Sequence, residues 1–225
     1  MRLAAHQPLF WPPMYLMQRW LHVDTLVWLG SVQFTRKSRD EHGRNRPTGQ
    51  NRIVLGDAAG NDVDVTVPVG ASRQPIDDTP LGDWADSFIS TVCHLYPETP
   101  ERDVVCHAAA ELEGEPLGSV NRATWSLTIG LLDVKAPHVV DDTSLPPVDD
   151  RVDRLVTYCR QLGATTYVAG KPAINAYLDA NAFAAAGVTL TPQDWTPPHG
   201  VQAGRSVLDS ILRRGVDRTR KALGW

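Results

Sequence analysis

His6 and Gln7 stand side by side where a short apolar run, residues 2–5, gives way to His6-Gln7-Pro8. An imidazole at such a place titrates near neutrality and can serve as acid, base or donor to a phosphate. The Gln7 carboxamide can orient a carbonyl or an amide. Position alone fits equally a satisfied histidine at the edge of a core. A second group is basic: Arg36, Lys37, Arg39, Arg44, Arg46 and Arg52 fall within residues 35–52. They can close over a phosphate or carboxylate, or stay solvated. Asn51-Arg52 differs from the rest because it leads straight into a hairpin pattern, and sites held on rigid elements keep better geometry. The third group is Gly170-Lys171-Pro172, which reads as an anion cradle at a helix start or as a plain strand-to-helix turn. The spacing of a phosphate-binding P-loop is absent. Tyr167 lies close to it in sequence. Trp11, beside the His6 turn, either walls a pocket or belongs to the core.

Other residues have simpler readings. Ser206 and Asp209 resemble a nucleophile and its base, but a capping box with Asp in place of Glu explains both, and no G-x-S-x-G elbow surrounds the serine. Cys93-His94 and Cys106-His107 fit no common zinc spacing; they read as buried helix cysteines beside surface histidines. Cys159 falls on the apolar face of a helix, where a thiol is inert.

The elements that must position these groups follow from periodicity. Residues 2–5 form a buried strand. Pro12 and Pro13 suit the first turn of a helix, whose apolar stripe is Met14, Met17, Trp20 and Leu21. Thr25 to Leu29 reads as a second strand. Residues 35–52 read as a loop. Ile53 and Leu55, then Val63, Val65 and Val67, alternate with polar residues about a DAAGN turn, which predicts an antiparallel hairpin. Helices follow at 84–95, 101–112 and 120–132, and a strand at 138–140. Asp149 opens a helix closed by Gly163. Thr165 to Ala169 is a strand, Pro172 to Ala186 one helix, Val188 to Leu190 a strand, and Ser206 starts a helix that Gly215 ends. The pattern predicts a single α/β domain over 1–225: a three-layer, mostly parallel sheet with an inserted antiparallel β-hairpin, a helical insertion at about 84–132 and a basic tail at 216–225. Ligands in such sheets bind beyond the carboxyl ends of the strands, which here means His6-Gln7-Pro8, Gly30 to Gln33, and Gly170-Lys171.

Composition narrows the function classes. The 225 residues are 42% hydrophobic and 21% charged, enough to bury a core without metal or disulfide and far from a disordered composition. The net charge is −4 and the pI about 5.9, which excludes a generic DNA-coating protein. Three cysteines without a C-x-x-C suit a reducing cytoplasm. No apolar stretch has the form of a signal peptide or the ~18 residues of a membrane span. No cofactor and no metal are expected.

Several blocks in order resemble the WbqC-like protein family. They are His6-Gln7-Pro8 with Pro12, Arg19, Asp24 and Val32-Gln33-Phe34; Asn51-Arg52-Ile53 with Gly60 and Val67-Pro68-Val69; Gly163-Ala164, Tyr167, Gly170, Tyr177-Leu178-Asp179, Phe183 and Gly187; and Ser206, Leu208-Asp209 and Gly215. The chain departs from the family at Leu9 (Asn in the family), Arg19 (Lys), Gly30-Ser31 (an acidic pair) and Arg213 (Asn), and its loop between Gln33 and Asn51 is longer. Loss of the acidic pair counts against a metal or amine role for that turn. The resemblance implies a biosynthetic enzyme of polysaccharide or natural-product pathways that transfers an acyl or aminoacyl group to an amino group of a sugar or other small molecule. Its partners are a small-molecule acceptor and an activated donor, a thioester or an aminoacyl-tRNA. In that reading His6 is the base, Gln7 orients the acyl carbonyl, and Arg52 holds a phosphate. Trp11, Gln33, Asn51, Tyr167, Gly170 and Lys171 surround the substrate. Two other readings use the same residues: an amide or ester hydrolase with His6 activating water, and a non-catalytic module that binds a nucleotide-sugar or a partner protein.

Overall fold

The computed structural model describes residues 1–39, 45–47, 49–70 and 73–225; Arg44 of the basic stretch lies outside them. The chain divides into two compact units, each assembled from three separate segments. The first comprises Met1–Gln7, Gln18–Ser31 and Ala136–Thr196. It is built on five parallel strands, β1 (Arg2–His6), β2 (Thr25–Trp28), β7 (His138–Asp141), β8 (Thr166–Ala169) and β9 (Thr189–Pro192), in the order β7-β2-β1-β8-β9. A parallel sheet requires crossovers, and helices supply them. Helix α5 (Arg151–Gln161) begins where the Asp150 carboxylate accepts from the Val152 and Asp153 amides at 2.8 and 3.0 Å. It ends at Gly163, whose φ of +68° suits a residue without a Cβ. Leu155, Val156 and Cys159 of α5 pack with Leu3, Val27, Tyr167 and Phe183 to make this unit's core. The fold is the α/β class with a parallel sheet and a separate antiparallel hairpin that the sequence predicts.

In this unit one expected element differs. The single helix predicted from Pro172 to Ala186 is two, α6 (Lys171–Ala176) and α7 (Ala180–Ala185). Asp179 takes extended backbone and its carboxylate accepts from the Asn181 amide at 2.8 Å. An aspartate favours that capping role over a helix interior, so a new helix starts there.

The second unit comprises Pro8–Met17, Val32–Lys135 and Pro197–Trp225. Helix α1 (Met14–Leu21) begins in this unit and ends in the first. The stretch read as a loop contains a short antiparallel pair, β3 (Lys37–Arg39) with β4 (Asn45–Pro47). The expected hairpin is β5 (Arg52–Gly56) with β6 (Asp62–Thr66), registered Ile53 on Val65 and Leu55 on Val63. Helices α2 (Ala85–Leu95), α3 (Pro100–Glu111), α4 (Leu117–Leu132), α8 (Val207–Arg214) and α9 (Val216–Leu223) complete it. The basic tail is therefore helical. Phe10, Trp11, Trp84 and Phe88 form an aromatic cluster, with Trp11 and Phe88 stacked at 4.9 Å and 7°. Among the described residues no helix is long and apolar enough to cross a membrane.

Candidate functional site

In the first unit the chain lays β1, β2 and β7 outward on one side and then returns to place β8 and β9 on the other. The direction of winding reverses between β1 and β8. At such a switch point the loops leave the sheet in opposite directions and a crevice opens at the carboxyl ends of the strands. Here the ladder between β1 and β8 is short. Strands β1 and β8 pair only at Arg2–Thr166 and Leu3–Tyr167. Both run on past that point, β1 through Ala4 and Ala5 to His6 and β8 through Val168 to Ala169, whereas β1 stays paired to β2 as far as His6–Trp28.

His6 ends β1 and is partly buried. Its Nδ1 lies 2.8 Å from the Gln7 carbonyl oxygen. A carbonyl only accepts, so Nδ1 carries the proton and Nε2 is the basic nitrogen. The ring tilts against Trp20 at 5.4 Å. Desolvation lowers its pKa to about 4; the bond to Gln7 opposes this, and the Arg19 guanidinium adds to it. The imidazole is therefore neutral at pH 7.

Arg19, in the last turn of α1, is the cation beside His6. Its guanidinium lies over the Gly170 backbone: a Cβ built on Gly170 would stand 2.5 Å from Nη2. The φ of Gly170, −72°, suits any residue, so what a side chain here would disturb is the placement of the guanidinium and not the backbone. Arg19 Nε donates to Gln193 Oε1 at 3.0 Å, and Gln193 Nε2 donates to Gln18 Oε1 at 2.6 Å. The two glutamines thus hold the guanidinium in one orientation. In the same unit a groove of about 280 Å3 is lined by Lys171, Ile174, Asn175, Ala180, Leu190 and Pro192. Lys171 and Pro192 are the chain neighbours of Gly170 and Gln193, which both touch Arg19. Its volume lies near the lower end of small-molecule sites.

The structure thus gathers His6, Gln7, Gly170 and Lys171 at the carboxyl ends of this sheet. Tyr167 is in the same unit but buried, stacked on Phe183 at 5.1 Å, and desolvation raises its pKa. The side chains of Lys37, Arg39 and Arg46 lie outside the described residues; the other candidates sit within the second unit. Arg52 forms an ion pair with Asp64 across the hairpin. Asn51 is buried and donates through Nδ2 to the Val67 carbonyl at 2.8 Å. Gln33 is exposed and bridges to Pro75. Trp11 is fully buried in the aromatic cluster, with a φ of +35°. Arg36 donates to the Val69 and Gly70 carbonyls, both at 2.9 Å. Ser206 caps α8, accepting from the Leu208 amide at 3.1 Å and donating to the Trp11 carbonyl at 2.9 Å. Asp209 does not complete a capping box. It accepts from the Gly56 amide at 2.9 Å and the Tyr96 hydroxyl at 2.7 Å.

Arg19 and Gln193 are the site residues that sequence reading passes over. Gln193 follows directly on a strand end, where the crevice rule points. Arg19 had only its place in the family pattern. The family's sequence profile spans residues 7–221. The chain belongs to the WbqC-like protein family. The match begins one residue after His6 and takes in every other residue of the site. No curated protein and no solved structure matches this WbqC-like chain significantly.

Proposed function

We propose that this WbqC-like protein is a cytoplasmic biosynthetic transferase that joins an acyl or aminoacyl group to an amino group of a sugar or other small molecule. His6 Nε2 is the proton acceptor and Arg19, rather than Arg52, is the cation that holds an anionic group of donor or acceptor. The observation that carries this reading is a neutral imidazole with a fixed tautomer beside a guanidinium at the switch point of a parallel sheet. In amide formation the amine attacks as its free base. The proton to be removed is then on the nitrogen of the tetrahedral adduct, which is far more acidic than the parent ammonium. A base whose pKa is about 4 is unprotonated throughout the neutral range and so is free to take that proton. Gln7 orients the acyl carbonyl, and the groove beside Lys171 takes a small substituent. The donor is a thioester or an aminoacyl-tRNA.

Incubation with a candidate acyl donor, with and without an amine acceptor, reads the reaction by product mass. The expected product is the amide, formed only with acceptor present. His6→Ala should cut turnover by roughly 10²–10⁴, the usual contribution of a general base, with donor affinity little changed. Release of free acid regardless of acceptor would make the protein a hydrolase. A ligand-induced rise in melting temperature without turnover of any donor would make it a binding module.

A further inference from the structure

Cys93 and Cys106 face one another across the packed helices α2 and α3, with their Sγ atoms 3.9 Å apart. Both differ from the buried helix cysteines that the sequence suggests: Cys93 is exposed and Cys106 partly so. The third cysteine, Cys159, is buried in the core of the other unit, where desolvation pushes its thiol up to about 12. It is therefore inert to solvent oxidants.

We propose that Cys93 and Cys106 are a reversible modification site, which peroxides convert to an intramolecular disulfide joining α2 to α3. Closing the S–S distance from 3.9 Å to the ~2 Å of a bond needs rotation about the side chains of two residues already in contact. The exposed Cys93 reacts first. Its thiolate attacks one peroxide oxygen, the O–O bond breaks, and Cys93 becomes a sulfenic acid as hydroxide leaves. Cys106 then attacks the sulfenyl sulfur. The S–S bond forms, the sulfenyl oxygen departs as hydroxide and takes the Cys106 proton, and the sum is two thiols oxidised and one peroxide reduced to two waters. Burial and the neighbouring Cys93 raise the Cys106 pKa to about 11, so Cys106 stays a thiol while Cys93 reacts; its nearness to the Cys93 sulfur, with the departing hydroxide as base, brings it into the resolving step. A dithiol reverses the sequence by exchange. The bridge closes a short loop around Tyr96, whose hydroxyl donates to Asp209 of α8, so oxidation braces the part of the second unit that supports that helix.

The test treats the full-length protein with a small excess of hydrogen peroxide and follows intact mass, free thiols and tryptic peptides. The expected result is loss of two hydrogens, a fall in free thiols from three to one, a linked Cys93–Cys106 peptide, and full reversal by dithiothreitol. The oxidised form should melt roughly 5–10 °C higher than the reduced form. Cys159→Ser should cross-link like the parent chain, whereas Cys106→Ser should stop at a Cys93 sulfenic acid that dimedone traps. Oxygen addition without a linked peptide, or a disulfide between two chains through Cys93, would overturn the proposal.

Discussion

Burial of the His6 imidazole has an energetic consequence that grows on acidification. The folded chain holds its pKa at about 4, whereas an unfolded histidine titrates near 6.5. Above pH 6.5 neither state binds the proton and the residue is neutral toward stability. As pH falls toward 4 the unfolded chain takes up the proton and the folded chain does not, so stability is lost across that window. His6→Asn, which cannot titrate, should show a shallower fall in melting temperature between pH 6.5 and 4 than the parent chain. If His6 is the base, the acid limb of kcat/KM should likewise lie near 4 and not near 6.5. The Arg19 contact gives a second test. Gly170→Ala keeps an allowed backbone but must displace the guanidinium. The expected effect is about a tenfold rise in KM for the anionic substrate, roughly 1.4 kcal/mol, with the melting temperature nearly unchanged. His6 was legible as a candidate because it ends the first strand, where the crevice rule points, although position alone fitted a satisfied core-edge histidine equally. Arg19 was not, because no local spacing says that a helix side chain reaches a glycine far along the chain.

At the scale of elements, α8 shows how tertiary partners redirect a local motif. Ser206 performs the capping that its sequence position announces, while Asp209 leaves the helix terminus for the Gly56 amide and the Tyr96 hydroxyl. The two substitutions should therefore differ in urea unfolding. Ser206→Ala removes a cap and one hydrogen bond, about 1–2 kcal/mol. Asp209→Ala leaves two buried donors without an acceptor, about 3 kcal/mol or more. The hairpin β5–β6 was readable because strict alternation allows only one wet face. The break between α6 and α7 was not, since the apolar spacing continues through it and only the cap at Asp179 interrupts the helix. The early end of the β1–β8 ladder was out of reach for a different reason. Periodicity identifies strands, but where a ladder stops depends on which strands become neighbours.

For the whole molecule, the governing fact is that neither unit is a continuous stretch of chain. Cutting after Lys135 leaves β1 and β2 but removes β7, β8, β9 and α5. Fragment 1–135 should accordingly lack protected amides in residues 2–6 by hydrogen exchange, while the intact chain protects them. The same connectivity governs synthesis. Strand β1 meets β2 early, in a pairing too transient to protect its amides, and its other edge waits for Thr166 and Tyr167. At roughly 5–20 residues per second, translation takes on the order of ten to thirty seconds to deliver them. Throughout that interval Leu3 and Ala4 sit beside an open row of amides and carbonyls on the nascent chain, free to zip onto a neighbouring polypeptide. The central strand of this sheet is thus an aggregation hazard during translation, and chaperone depletion should harm this protein's yield more than its finished stability suggests.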